Sequence, residues 1–163
     1  MHPAFLSRVA AIALIIGLAG CGFHLRGAEP LPFKSAFVEA GAQSALAPLL
    51  NEAFKEQGKL APTADEAVLR VRLTSESRNK TILTLSGAGR VLEYRLEYKV
   101  TASVADTFGV EVAAPFTIQL TSDFSYSDEQ VLAKQAEEAT LDRAMEQEAL
   151  RQIVRRLSYL KHT

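Results

Sequence analysis

The chain's lone cysteine, Cys21, stands three residues before His24 and five before Arg26 in the stretch LAGCGFHLRG. These residue types at this spacing admit three chemistries. A thiolate beside an imidazole could be a nucleophile, a Cys–His pair could be half of a metal site, and a cysteine behind small residues could be a site of covalent processing. Catalysis by the first pair needs a rigid scaffold to hold thiol and base in reacting geometry. The elements before Cys21 therefore decide among the three.

Those elements are a short segment with one basic side chain, Arg8, followed by the apolar run Val9–Gly20. As a helix at ~1.5 Å per residue that run covers about 18 Å, well short of a ~30 Å hydrocarbon core. It reads as the hydrophobic region of a secretion signal rather than as a membrane span. Leu18-Ala19-Gly20-Cys21 then resembles the bacterial lipobox, where the thiol receives a diacylglycerol and the chain is cut just before it. Residues 1–20 are accordingly expected as a lipoprotein signal peptide, with Cys21 as the lipidation site. Gly22 rather than Asp follows the cysteine, which in lipoproteins of this type directs passage to the outer membrane. Two or three acyl chains, at ~0.8 kcal/mol per buried methylene, anchor a protein firmly. A cysteine at a processing junction is not a catalytic one.

Composition narrows the remainder. At 163 residues there is room for one ordinary domain. Eighteen basic against 19 acidic residues leave a formal charge of −1, without the basic excess of nucleic-acid binders. One cysteine allows no intramolecular disulfide, and three histidines make an imidazole-built metal site unpromising. An envelope hydrolase would be poorly equipped. His24 lies near the processed end and His162 at the carboxyl end, Glu137 and Glu138 point to different sides of a helix, and Asp65-Glu66 falls in a loop. Gly87-Ala88-Gly89 joins strands and does not open a helix, so it is no phosphate loop. No catalytic residue, metal or cofactor is expected.

The periodicity of the mature chain predicts residues 21–34 as a lipidated tether and 35–163 as a single domain. SAFVEA (35–40) reads as a short strand. Leu46, Leu49, Leu50, Ala53 and Phe54 make one face of a helix over 45–57, with Pro48 in its first turn and Gly58 as terminator. From Val68 the period becomes two, with Leu69, Val71 and Leu73 alternating with Arg70, Arg72 and Thr74. Residues 75–85 continue that strand through an irregularity expected near Asn79, and SGAG (86–89) forms a hairpin loop. Two long antiparallel strands follow, one from Leu92 to Val104 and one from Phe116 to Tyr126. Their polar positions, Glu93, Arg95, Glu97, Lys99, Thr101, Thr117, Gln119, Thr121 and Asp123, share one face. Ser127 opens a capping box, and the main helix is expected from about Lys134 to Leu160, acidic early and Arg-rich late. The order β-α-β-β-β-α predicts an α+β, two-layer sandwich. Both helices cover one face of a roughly four-stranded mixed sheet, and the other face is left polar and bare.

Three segments in order resemble the lipopolysaccharide-assembly lipoprotein family, LptE. They are CGFHLRG after the lipobox, GRVLEYRLEYKVTASV (89–104), and LAKQAEEATLDRAMEQEALRQIVRRL (132–157). The resemblance implies a fold of two helices on a four-stranded sheet. It also implies a partner, the outer-membrane β-barrel LptD, whose lumen the lipoprotein plugs while the pair inserts lipopolysaccharide into the outer leaflet. It implies lipopolysaccharide recognition by basic residues at one end of the domain. One maps onto Lys134. The other falls at Gly87, with Arg90 three residues on and Arg78 and Lys80 on the neighbouring strand. The alternative from the residues alone is an unrelated lipid-anchored periplasmic binding module.

Overall fold

The computed structural model describes residues 30–160, so Cys21, His24 and Arg26 lie outside the described residues. Its elements are β1 (Ala36–Ala40), α1 (Leu46–Glu56), β2 (Leu69–Leu85), β3 (Val91–Asp106), β4 (Glu111–Ser125), a 3-10 turn at Asp128–Gln130 and α2 (Val131–Ser158). One four-stranded sheet runs in the order β1-β2-β3-β4. β1 is parallel to β2 and the other pairs are antiparallel, so the sheet is mixed as expected.

The apolar stripes account for the layers. Leu46, Leu50 and Phe54 of α1 are buried, as are Met145, Ala149, Ile153, Val154 and Leu157 of α2. They form one core with Leu69 and Val71 of β2, Leu96, Tyr98, Val100 and Val104 of β3, and Ile118 and Phe124 of β4. Gly58, at φ 65°, takes the left-handed conformation that ends α1, as its position after the helix requires. Ser127 accepts from the Glu129 amide at 3.3 Å and starts the turn into α2. α2 itself begins at Val131, three residues earlier than the periodicity indicated. Its first turn carries exposed Val131 and Leu132, which contribute nothing to the apolar stripe.

Two expectations are corrected. Leu31 and Phe33, placed in the tether, are buried in the core, and the Phe33 ring meets Phe54 edge-on at 6.0 Å. Among the described residues packing therefore begins at Leu31 and not at residue 35. β2 is not irregular near Asn79: its register with β3 slips near the hairpin, between Ile82 and Leu85, and first at Thr74, between Leu73 and Ser75. This bulge reverses the facing of the strand. Before it the odd positions Leu69, Val71 and Leu73 face the helices. After it Glu76, Arg78, Lys80 and Ile82 do so, opposite Val100, Tyr98, Leu96 and Tyr94.

The elements collect at two poles. Residues entering β1, the end of α1, the start of β2, the β3–β4 turn and the end of α2 make the proximal pole. The β2–β3 hairpin and the β4–α2 connection make the distal pole, while the end of β1 and the start of α1 lie part-way along β2, at Leu73 and Glu76. β2, at ~3.3 Å per residue, separates the two by roughly 55 Å.

Candidate functional site

The bulge at Thr74 completes a face that is polar on every rung. Ser75, Ser77, Asn79 and Thr81 of β2 pair with Thr101, Lys99, Glu97 and Arg95 of β3. These in turn pair with Thr117, Gln119, Thr121 and Asp123 of β4. Cross-strand bonds tie the ladder together. Arg95 donates from Nε and Nη2 to the two Asp123 oxygens, each at 2.7 Å. Gln119 donates to Glu97 at 3.1 Å, and the Thr101 and Thr117 hydroxyls meet at 2.9 Å. The hydrogen bond from Arg95 holds the Asp123 carboxyl below its ordinary value, and Asp123 raises Arg95 in return. A water-facing sheet can be polar for solubility alone. Here the polar surface spans three long strands with its side chains already bonded to one another, an arrangement suited to a wetted, polar wall.

The opposite face of the same strands carries a charged seam against α2. Arg78 donates to Glu146 at 2.6 Å and lies over the Tyr98 ring, 5.5 Å from its centre. Lys80 donates to Glu138 at 2.6 Å and sits 4.3 Å from the Tyr94 ring centre. Tyr94 stacks with Phe124 at 5.8 Å and meets Tyr126 edge-on at 5.2 Å. Half-exposed Asp142 faces the same seam, and burial raises its carboxyl above the ordinary value despite Arg78 and Lys80 nearby. The first half of α2 is thus docked by ion pairs and cation–π contacts where the second half is docked by apolar packing.

Sequence reasoning missed Glu76 in this seam. It accepts from the Tyr98 hydroxyl at 2.7 Å, from the Ala45 amide at 3.3 Å and from Ser44 Oγ. Ser44 Oγ in turn accepts from the Ala47 amide at 3.1 Å. A capping box would place an acid three residues after Ser44, where Ala47 stands. The chain supplies that acid from β2 instead, and no local signal announces it.

The four basic residues singled out from sequence divide into two pairs. Arg78 and Lys80 are spent on α2, as described. Arg90 and Lys134 are at the distal pole. Arg90 closes the hairpin, in which the Ser86 amide donates to the Arg90 carbonyl at 2.7 Å and Gly89 takes φ 77°. Its side chain is exposed and makes no ion pair among the described residues. Lys134 Nζ donates to Ser125 Oγ at 3.0 Å and to Glu137 at 2.8 Å. Ser125 pairs with Glu93, three residues beyond Arg90, which brings the two cations to the same end of the sheet. Leu85, Leu92 and Leu132 are exposed around them. Cations beside exposed leucines match an anionic amphiphile, its phosphate taken by lysine as a point charge and by arginine as a fork.

Among the described residues no group of three or more His, Cys, Asp and Glu is placed to hold a metal ion, and no helix is long and apolar enough to cross a membrane. Fold and site together define a two-layer α+β protein with a polar sheet face and a cationic, leucine-rimmed pole. Comparison with known proteins names the class. Residues 31–157 match the family model "LptE: Lipopolysaccharide-assembly", and the chain belongs to that family.

It is 27% identical over 163 residues to the LPS-assembly lipoprotein LptE of Pectobacterium atrosepticum, covering 96% of this chain and 86% of the relative. It is 29% identical to the same-named protein of Photorhabdus laumondii, covering 90% and 84%. The solution structure of an uncharacterized lipoprotein B from Nitrosomonas europaea superposes with a TM-score of 0.73 at 34% identity, covering 84% of this chain and 90% of that one. The family is one of non-enzymatic lipopolysaccharide-assembly lipoproteins, so the hydrolase alternative falls away.

Proposed function

We propose that this chain is held in the outer membrane by acylated Cys21 and plugs the lumen of the LptD β-barrel. There it assists assembly of the barrel and helps pass lipopolysaccharide to the outer leaflet. The observation that carries this reading is the sheet face, polar on every rung from Ser75/Thr101/Thr117 to Thr81/Arg95/Asp123. The lumen of a large outer-membrane barrel is polar and wet, and a plug must match it. At the distal pole Lys134 and Arg90 are the proposed phosphate contacts of lipid A. Arg78 and Lys80 join them by fixing the first half of α2, and hence Lys134, against the sheet.

The test is recovery of the mature protein from detergent-solubilised outer membrane. A stoichiometric partner of barrel size is expected. Its absence would reduce the protein to a lone lipid-anchored binding module.

A further inference from the structure

The proximal pole carries apolar side chains that the lumenal plug does not use. Phe108, in the β3–β4 turn, is 91% exposed, its neighbour Val110 is 62% exposed, and Tyr159 at the end of α2 is 72% exposed. The turn is not loose. Asp106 Oδ1 accepts from the Phe108 and Val110 amides, both at 2.9 Å, the Asp106 amide donates to Val110 O at 2.8 Å, and Gly109 takes φ 83°. Thr107 Oγ1 ties the turn to the Ala67 carbonyl at 3.0 Å. A hydrogen-bonded frame therefore holds a phenylalanine in water. Beside it an apolar groove of about 220 Å³ runs between β4 and α2, lined by Val104, Ala113, Phe116, Leu157 and Leu160. Arg156 covers the Phe116 ring at 4.6 Å on its rim.

The chain toward Cys21 leaves from this same pole. The Leu31 amide donates to Gln57 just past α1, and the Ala36 amide donates to the Lys59 carbonyl. From Leu31 back to Cys21 the backbone spans at most about 35 Å. An anchor at Cys21 thus keeps the proximal pole within reach of the bilayer that holds it. Aromatic and aliphatic tips with arginines behind them suit the headgroup–acyl boundary.

We propose that the Phe108–Val110 turn and Tyr159 rest on the phospholipid leaflet that holds the anchor, with Phe108 inserted at the headgroup–acyl boundary. The contact orients the domain, so that the acyl chains and the turn fix it at two points. This rests on Cys21 being the anchor.

The chain contains no tryptophan, so a single indole reports position without background. Acylated Phe108→Trp protein is reconstituted in vesicles of phosphatidylethanolamine and phosphatidylglycerol, with acylation established by mass. The expected result is a blue-shifted emission quenched by lipids brominated on their acyl chains. Leu132→Trp at the distal pole keeps the emission of an indole in water. An unshifted Phe108→Trp spectrum in the acylated protein would overturn the proposal. So would a shift at both poles alike, which marks indiscriminate adsorption, or a shift that needs added barrel protein. A mature protein without acyl chains would overturn the anchor reading and this proposal with it.

Discussion

Tyr98 on β3 donates its hydroxyl to Glu76 Oε1 on β2 at 2.7 Å, and the same oxygen accepts the Ala45 amide at the start of α1. One carboxylate thus joins the sheet to the first helix and satisfies a core tyrosine. Burial, and then the bond to Glu76, push the Tyr98 hydroxyl far above its ordinary pKa, so it stays a donor throughout the working pH range. The negative charge also lies at the positive end of the α1 dipole.

Glu76→Ala removes a helix cap and strands a buried hydroxyl, and should cost about 2 kcal/mol of unfolding free energy. Tyr98→Phe should cost about 1 kcal/mol. The double variant should cost clearly less than the sum, because both remove one bond. Urea denaturation of the four proteins measures this, and strict additivity would deny the coupling.

Asp142 makes stability depend on pH with an uncommon sign for a carboxylate. Burial raises its folded value above the unfolded one, so the folded state binds this proton more readily. Its contribution is therefore most favourable at low pH and declines as pH rises through the raised value. Asp142→Asn should melt slightly higher than the parent at pH 7, with the difference vanishing below the ordinary carboxylate value of about 3.9. Asp123 carries the opposite sign. Held down by Arg95, it favours folding at neutral pH and loses that as pH falls, by little because the pair is exposed. Melting curves of Asp142→Asn and Asp123→Asn across pH 3–7 should diverge from the parent in opposite directions.

Lys134→Glu should weaken lipopolysaccharide binding about tenfold or more in direct titration, since a lost charge-assisted contact is worth ~1.5–3 kcal/mol. The melting temperature should fall modestly, because Lys134 also donates to Ser125 on β4 and the variant sets a second carboxylate beside Glu137. Lys80→Ala should act on stability first, lowering it by breaking the contact with Glu138 and the Tyr94 ring. Unchanged binding by Lys134→Glu would remove that lysine from the site.

Cys21→Ser should leave a folded domain that is neither acylated nor cut before residue 21. Mass spectrometry of the membrane and soluble fractions reads this directly. A mutant still cleaved at residue 21 would refute the lipobox assignment.

The strands and helices were legible wherever one face is apolar, as in β3, β4 and the later half of α2. The Thr74 bulge was not, because Ser75 to Thr81 is polar at every position and gives periodicity nothing to detect. Arg78 and Lys80 read as free cations for a related reason. Their partners Glu146 and Glu138 lie 68 and 58 residues away, and only the reversed facing of β2 brings them together. Leu31 and Phe33 were hidden by the prolines around them, which suggested a tether, while Phe54 was waiting across the core.

Lumenal enclosure is the central claim, and site-specific photocrosslinking in cells tests it most directly. One crosslinker replaces Gln119 on the polar sheet face, and another replaces Arg143 on the solvent side of α2. A plug surrounded by a barrel wall gives adducts with LptD from both positions. Adducts from one position alone, or from neither, would place the domain outside the lumen and contradict the account.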